Sequence, residues 1–212
     1  MVTERWPAFL QGAWIDVWVT VVGFVLACVL GLVMAIARLT GHRVAAIPAF
    51  LYIQVTRGVP LYVMLVWVYF GIATVLGIDF SPFQAIIISL ALTGSGYTAE
   101  IFRSGIEAVD KGHVEAAHSL GLGRAQTYRD VILPQALRIV IPPLGNTFVG
   151  LLKGATIMSV IAVPDMVFLA MNLNVTYFTP FEPFTAVGVI LIGLVAIFSL
   201  LVYGVELAVR LP

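Results

Sequence analysis

Long runs without a charged residue alternate with short polar connections along this chain. Four such runs cover residues 17–37, 58–78, 80–99 and 183–205. Each is close to the roughly 20 residues that an α-helix needs to cross a hydrocarbon core. The pattern therefore predicts four membrane-spanning helices.

Two further apolar segments are irregular. Residues 139–178 are too long for one straight crossing and contain Lys153 and Asp165. Because charged groups at membrane depth must face protein or water, we expect a broken or kinked fifth span there. Residues 44–56 are predicted to form an interfacial or tilted approach to the second span, with a bend near Pro60, which cannot donate a backbone hydrogen bond.

Composition places the chain among integral membrane proteins. Of its 212 residues, 61% are hydrophobic and 10% are charged, and the mean hydropathy is +1.06. These values lie outside the range of soluble domains. The formal net charge is zero, which gives no indication of a nucleic-acid partner. The expected fold is an all-α, polytopic bundle of five transmembrane helices, with residues 1–212 forming one transmembrane domain.

The basic residues predict the orientation of the chain in the membrane. Positive residues concentrate in cytoplasmic loops. If the polar segment 111–143 is cytoplasmic, five spans leave Arg5 on the outer side, with the N-terminus outside and the C-terminus in the cytoplasm. The residues then placed on the cytoplasmic side are Arg38, Arg43, Lys111, Arg124, Arg129, Arg138 and Arg210.

The polar segment between the third and fourth long apolar runs has the pattern of two short helices. Residues 113–120 favour a helix, Gly121 and Gly123 interrupt it, and residues 124–132 favour a second helix. Such a segment offers a docking surface to a protein in the aqueous phase, although a plain charged loop would also satisfy the topology rule. We predict an exposed face with His118, Arg124, Tyr128 and Arg129, and anchors at Val114, Leu120, Val131 and Leu133.

The order of residues within this segment resembles a known family. Glu115, Ala116 and Ala117 are followed after three residues by Gly121 and after nine more by the sequence VILP at 131–134. This spacing is similar to the EAA signature of ABC importer permeases, with valine at 131 where isoleucine is usual. The resemblance implies a cytoplasmic coupling loop at about 111–134 whose ATPase-contacting residues are Glu115, Ala116, Ala117, His118, Gly121, Arg124, Tyr128, Arg129 and Pro134.

Three more stretches resemble the polar amino acid group of these permeases, the histidine and glutamine type. They are RGVPL at 57–61, GYTAEIFRSGI at 96–106 and LPQALR at 133–138. The resemblance implies a type I importer fold in the inner membrane of a prokaryote. It also implies a second permease subunit, two cytoplasmic ATPase subunits that bind ATP and Mg²⁺, an extracytoplasmic solute-binding protein and an amino acid substrate.

One position departs from the family pattern. After the fourth span begins, the family often has lysine followed by an acidic or amide residue, whereas this chain has KGAT at 153–156. Any role that the family assigns to this turn is therefore in doubt for this chain.

Polar residues inside the apolar segments are candidates for a solute pathway. Glu100 and Arg103 lie one helical turn apart, so we expect them to pair. Lys153 and Asp165 are predicted either to pair or to bind the two charged groups of a zwitterionic solute. Asp16 is expected to be solvated near the outer surface. The full set of pathway candidates is Arg57, Tyr97, Glu100, Asn146, Thr147, Lys153 and Asp165.

A stripe of small residues bears on how the chain associates. Five spans are few for enclosing a solute pathway, so a second membrane subunit is expected. Ala27, Gly31 and Ala35 recur at four-residue spacing, which favours close helix contact, either with another subunit or within the chain.

The chain lacks the motif for nucleotide hydrolysis. No Gly-x-x-x-x-Gly-Lys-Ser/Thr loop occurs in the sequence, so we predict a non-catalytic subunit without a cofactor or metal of its own, driven by a partner ATPase. The alternative is an ion-coupled secondary transporter or channel that uses Glu100, Lys153 and Asp165. A third interpretation is a membrane receptor or scaffold that recruits a cytoplasmic protein.

Overall fold

The computed structural model describes residues 5–209, which form α-helices and short connections without a β-strand. Four helical stretches are long and apolar enough to cross a membrane, and a bent pair of helices makes a fifth. The predicted all-α bundle is confirmed. In chain order the helices are α1 (Trp6–Leu39), α2 (Arg43–Gly58), α3 (Leu61–Val66), α4 (Ala73–Leu76), α5 (Pro82–Glu107), α6 (Lys111–Ser119), α7 (Arg124–Thr127), α8 (Leu133–Ala155), α9 (Met166–Tyr177) and α10 (Phe181–Val209).

The contact between α1 and α5 is the most extensive in the bundle. At Gly31 the two backbones come so close that a Cβ atom would overlap Thr98 Oγ1 and lie 2.8 Å from the amide nitrogen of Ala99. Thr98 Oγ1 donates a hydrogen bond of 2.8 Å to the carbonyl oxygen of Ala27. The small-residue stripe on α1 therefore packs within the chain, which was one of its two predicted uses.

The second span is bent as the sequence predicts. Its two parts, Arg43–Gly58 and Leu61–Ile72, meet at an angle of 105°. Val59 is extended, with φ −87° and ψ 124°, because a residue before proline is disfavoured in the α region. Pro60 is the N-cap of α3 and lies just outside that helix. A π-helical turn at Trp67–Ile72 follows α3 directly.

The predicted break within residues 139–178 is also present. After α8 ends, a 3₁₀ turn at Thr156–Ile161 leads to Ala162 in the left-handed conformation, with φ 60°. The helix α9 then starts afresh, with Asp165 as its N-cap: Phe168 donates its backbone N–H to Asp165 Oδ1 over 2.7 Å. The chain therefore does not continue as one straight helix from α8 into α9.

Two larger apolar clusters and a small one hold these helices together. The largest joins α1, α3, α5, the end of α8 and the 3₁₀ turn after it through residues such as Leu65, Leu90 and Met158. The second packs α9 and α10 against the start of α1 and includes Phe9 and Met166. Most of the large apolar side chains along α10 remain exposed, as expected for a helix that faces lipid or another subunit.

One charged residue of α1 is buried. Asp16 was expected in solvent, and this is wrong: it is 0% exposed and lies under the start of α9. The reason is a long-range contact: Gly12 lets α1 touch the backbone of Asp165 and Met166, and Asp16 follows one turn later. Arg210, which contributed to the predicted orientation, lies outside the described residues.

The α1–α5 contact predicts the effect of adding one methyl group. We expect Gly31→Ala to destabilise the chain by about 1–3 kcal/mol, because backbone atoms of α5 cannot move aside. The control is Gly188→Ala in α10, where a Cβ atom meets nothing within 4 Å. Thermal unfolding of both variants in lipid nanodiscs measures the difference, and equal stability of the two would contradict the packing.

Candidate functional site

The polar segment 111–134 folds into two short helices that run into α8. Asp110 caps α6 by accepting the backbone N–H of Gly112 over 2.6 Å. After α7, a π-helical turn at Tyr128–Ile132 carries the chain directly into α8. The two predicted helical pieces and the glycine break between them are confirmed. We call residues 111–134 the coupling segment.

Gly121 fixes the corner between α6 and α7. Its N–H donates to the carbonyl of His118 over 3.0 Å, and the N–H of Leu122 donates to the carbonyl of Ala117 over 3.1 Å. These two bonds make a Schellman motif, which needs a left-handed residue after the helix. Gly121 has φ 78°, and a Cβ atom there would meet nothing within 4 Å. The constraint on this position is therefore backbone conformation and not space.

A polar contact ties α6 to the start of α8. His113 Nδ1 and Gln135 Oε1 are hydrogen-bonded at 2.9 Å, and Gln135 Nε2 donates to the carbonyl of Val131 over 2.9 Å. Pro134 has no N–H to give to the preceding turn, and the chain takes π-helical geometry just before it. This geometry holds α6 beside α8.

The outward face of the coupling segment is only partly as predicted. Leu120 and Leu133 were expected to be anchors, but they are 81% and 45% exposed. Leu120 follows the last turn of α6, so it is not on the inward face of that helix. The predicted anchor Val114 is half-buried against Ile132. The fully buried anchors are Thr127 and Ile132, together with Ala117, which was predicted to contact the ATPase. The predicted contact residues that are exposed are Glu115, Ala116, His118, Gly121, Arg124, Tyr128, Arg129 and Pro134.

A shallow groove of about 410 Å³ runs between α6 and the start of α8. The residues at the base of the groove are small, and those at its rim are apolar or charged. The lining includes His113, Ala116, Leu120, Leu122, Pro134 and Arg138. This is the concave surface that the coupling segment presents to solvent.

A second concave site of about 480 Å³ lies between the bend of the second span, α5 and α8. The bend leaves a gap beside α5, and glycines on the facing side of α8 keep that gap open. Its polar lining residues are Arg57, Thr93, Tyr97 and Thr147, and its other lining residues include Pro60, Leu61, Gly150 and Gly154. We call this site the bend cavity.

The bend cavity holds a positive charge and no carboxylate among its lining residues. The guanidinium carbon of Arg57 lies 5.4 Å from the ring centre of Tyr97, a cation–π contact. Thr93 Oγ1 is buried and has no hydrogen-bond partner. A buried hydroxyl without a partner is uncommon, so the cavity contains a polar group available to a bound solute.

Only part of the predicted solute pathway comes together. Arg57, Tyr97 and Thr147 line the bend cavity. Glu100 lies one turn beyond Tyr97 and is paired with Arg103, as predicted, with Arg103 Nε 3.2 Å from Glu100 Oε1. Arg103 bonds Glu107 as well.

The predicted joint site of Lys153 and Asp165 is wrong. Lys153 is exposed on α8, whereas Asp165 is buried against α1 and caps α9. The left-handed Ala162 turns the chain between them, so the two charges lie on different sides of the break. Asn146 is exposed on α8 and is not among the lining residues of the bend cavity.

Thr93, Gly150 and Gly154 are among the lining residues of the bend cavity that sequence reasoning missed. Thr93 lies inside an apolar run and carries no charge to distinguish it. Gly150 and Gly154 are four residues apart, so they share one face of α8. That spacing was a usable signal, because two small residues on one helix face mark either a close contact or an open space.

The fold and the two sites define a class: a polytopic helical membrane protein with a structured, exposed polar segment between two of its spans. Residues 11–211 match the family described as "Binding-protein-dependent transport system inner membrane component". The chain belongs to this family.

Curated relatives cover most of the chain. It is 40% identical over 163 residues to the probable amino-acid ABC transporter permease protein YckA of Bacillus subtilis, covering 77% of this chain and 72% of that protein. It is 33% identical to the arginine transport system permease protein ArtQ of the same organism, covering 94% and 91%. It is 32% identical to the glutamine transport system permease protein GlnP of Escherichia coli K12, covering 95% and 94%.

Solved structures show the same fold. A crystal structure of an amino acid ABC transporter with histidines superposes with a TM-score of 0.91 at 34% identity, covering 97% of this chain and 95% of that one. An inward-facing structure of the MetNI methionine ABC transporter gives a TM-score of 0.82 at 19% identity over the whole of both chains. The second likeness concerns the fold alone.

Proposed function

We propose that this chain is the permease subunit of an ATP-driven importer for polar amino acids. The observation that carries the proposal is the coupling segment, which presents an exposed apolar residue, Leu120, beside a groove rimmed by charged groups. A concave surface that combines an exposed apolar side chain with a charged rim suits contact with a protein in the aqueous phase. The resemblance to amino acid permeases supplies the substrate class.

In this proposal the aqueous partner is an ATPase that binds ATP and Mg²⁺. Two permease subunits, identical or homologous, form the pathway, and each coupling segment docks into one of two ATPase subunits. An extracytoplasmic binding protein delivers the amino acid. The coupling segment then lies in the cytoplasm of a prokaryote, with the N-terminus of the chain outside and residues 1–212 forming one permease domain.

The Schellman corner provides the test of coupling. We expect Gly121→Val to reduce ATP-driven transport about tenfold or more, because a β-branched residue cannot hold φ 78° without strain of about 1–2 kcal/mol or more. Transport is measured in proteoliposomes that contain the complete importer. The amount of variant protein in the membrane should not change.

The matched control is Gly123→Val, two residues further on. Gly123 has φ −69° and ψ 161°, which valine adopts readily. Its variant should transport at nearly the wild-type rate. Normal transport by Gly121→Val would remove the proposed coupling role from this corner.

The bend cavity is the proposed amino acid site. Arg57 would bind the carboxylate of the substrate, since a guanidinium recognises a carboxylate by paired hydrogen bonds. Thr93 Oγ1, which has no partner in the chain, would complete a hydrogen bond to the substrate. Tyr97 and Thr147 lie beside them, and Glu100 lies close to Arg57, where it would attract the substrate ammonium group.

The remaining pathway candidates depend on the second permease subunit. Asn146 and Lys153 are exposed on α8, next to the cavity residues Thr147 and Gly154. If a second copy packs against this part of α8, both side chains would lie at the wall of the shared pathway. Asp165 has no place in this pathway, because it is buried beside α1.

Replacing the cationic side chain tests the substrate site. We expect Arg57→Gln to lower transport about tenfold or more, because a charge-assisted hydrogen bond contributes about 1.5–3 kcal/mol. Basal ATP hydrolysis and the affinity of the binding protein for its amino acid should stay unchanged. The control is Arg43→Gln at the exposed start of the same helix, α2. Equal transport by the two variants would exclude Arg57 from substrate binding.

The source of energy separates the importer from a secondary transporter or channel. We expect proteoliposomes that contain only this chain to show no amino acid uptake, with or without an ion gradient. Uptake should appear when the ATPase, the binding protein and ATP are supplied together. Ion-driven flux through the chain alone would establish the alternative and overturn the proposal.

A further inference from the structure

Two carboxylates are buried together where α1 crosses the start of α9. Asp16 and Asp165 are both 0% exposed, and their charges are close enough to interact. The backbones themselves touch one turn earlier, where a Cβ atom on Gly12 would lie 2.7 Å from the carbonyl carbon of Asp165. The proposed solute pathway uses neither carboxylate.

The hydrogen bonds around this pair are incomplete. Asp165 Oδ1 accepts the N–H of Phe168 at the first turn of α9. Asp165 Oδ2 and both carboxylate oxygens of Asp16 are buried without a partner in hydrogen-bond geometry, although the backbone N–H of Met166 faces Asp16. Leaving a buried charged acceptor without a donor is strongly unfavourable, so three such atoms in one place indicate a missing donor.

The packed elements offer no cation to the pair within residues 5–209. On α1 the basic residues are Arg38 near its C-terminal end and the N-cap Arg5, about six and three turns away from Asp16. The helix α9 carries no charge. The charged residues near the ends of the other packed helices, Lys153 of α8 and Glu182 of α10, are exposed, and those of α5 are in the network of Arg103.

We propose that Asp16 and Asp165 hold one proton between them, so that α1 and the start of α9 are joined by a hydrogen bond from a carboxylic acid to a carboxylate. Asp165 is the ionised partner, because its Oδ1 accepts a backbone N–H at the positive end of α9. Asp16 carries the proton and donates it to Asp165 Oδ2. Two carboxylates in one desolvated place cannot both ionise without a strong penalty.

The surroundings suit a proton better than a metal ion. A metal cation needs several oxygen ligands, and the described residues contain no group of three acidic, histidine or cysteine side chains that could hold one. A neighbouring cavity of about 320 Å³ includes Asp165 in its lining, with the amides of Gln11 and Asn172 beside it. The cavity is lined mostly by apolar groups, and because it reaches Asp165 it gives a proton a route to the pair.

The proposal predicts that stability falls as the pH rises from the acidic side. Above the pKa of an unfolded aspartate, about 3.9, the folded chain holds a proton that the unfolded chain has released, so stability decreases with rising pH for as long as the folded pair keeps its proton, and it is level once that proton is lost. In a scan from about pH 5 to about pH 10, we expect the Tm of the full chain in nanodiscs to fall by roughly 3–5 °C per pH unit from the acidic end and then to reach a plateau.

Isosteric variants isolate the pair. Asp16→Asn keeps the shape and donates an amide N–H to Asp165 without binding a proton, so its Tm should be close to that of the wild type near pH 5 and should lack the fall at higher pH. Asp79→Asn, at an exposed connection before α5, is the control and should keep the wild-type profile. Parallel profiles for the wild type and Asp16→Asn would overturn the proposal.

Infrared difference spectra detect the shared proton directly, and they remain informative even if one variant folds poorly. The wild type near pH 7 should show the carbonyl band of a buried carboxylic acid, which disappears in Asp16→Asn and shifts in frequency in Asp165→Asn, because the acceptor of its hydrogen bond has changed. Asparagine still caps a helix, so the second variant preserves α9. Absence of the band in the wild type overturns the proposal. So does a rise in Tm when sodium replaces choline at constant ionic strength, because a metal cation would then occupy the pair.

Discussion

The close contact between α1 and α5 is the constraint on which the remaining structure depends. The two backbones come into close contact at Gly31, which has no side chain. The Thr98 hydroxyl on α5 donates a hydrogen bond to the backbone of α1. Apolar side chains are accommodated as well by lipid as by another helix, so the hydrophobic effect does not drive membrane helices together. Close packing and hydrogen bonding hold them together instead. With α5 fixed in this way, Tyr97 faces the bend cavity and α5 ends at the coupling segment.

Both sites are formed where a helix is interrupted. The bend at Pro60 opens the cavity beside Arg57, and the left-handed Gly121 sets the corner of the coupling segment. Each interruption leaves backbone groups without helical partners, which is tolerable only where protein or water satisfies them. Functional surfaces in this chain therefore coincide with residues that stop helices, while the uninterrupted helices supply the framework.

Local signals explain what the sequence could and could not predict. The spans, the bend at Pro60 and the glycine corner follow from charge-free runs and from the backbone limits of proline and glycine, which act within a few residues. The burial of Asp16 depends instead on Gly12 meeting a segment about 150 residues later, and no local pattern reports such a meeting. Likewise Lys153 and Asp165 are near in sequence, but the turn at Ala162 separates them. That Thr93 lines the bend cavity could not be predicted without knowing where α8 lies.

One helix links the two proposed sites. The coupling segment continues into α8 without a break, and Thr147, Gly150 and Gly154 at the far part of α8 line the bend cavity. Between them lie Pro142 and Pro143, which remove two consecutive backbone hydrogen bonds from the helix interior and make it easier to bend there. A displacement of the coupling segment by a partner would therefore move the near half of α8, and the prolines would set how much of that movement reaches the cavity.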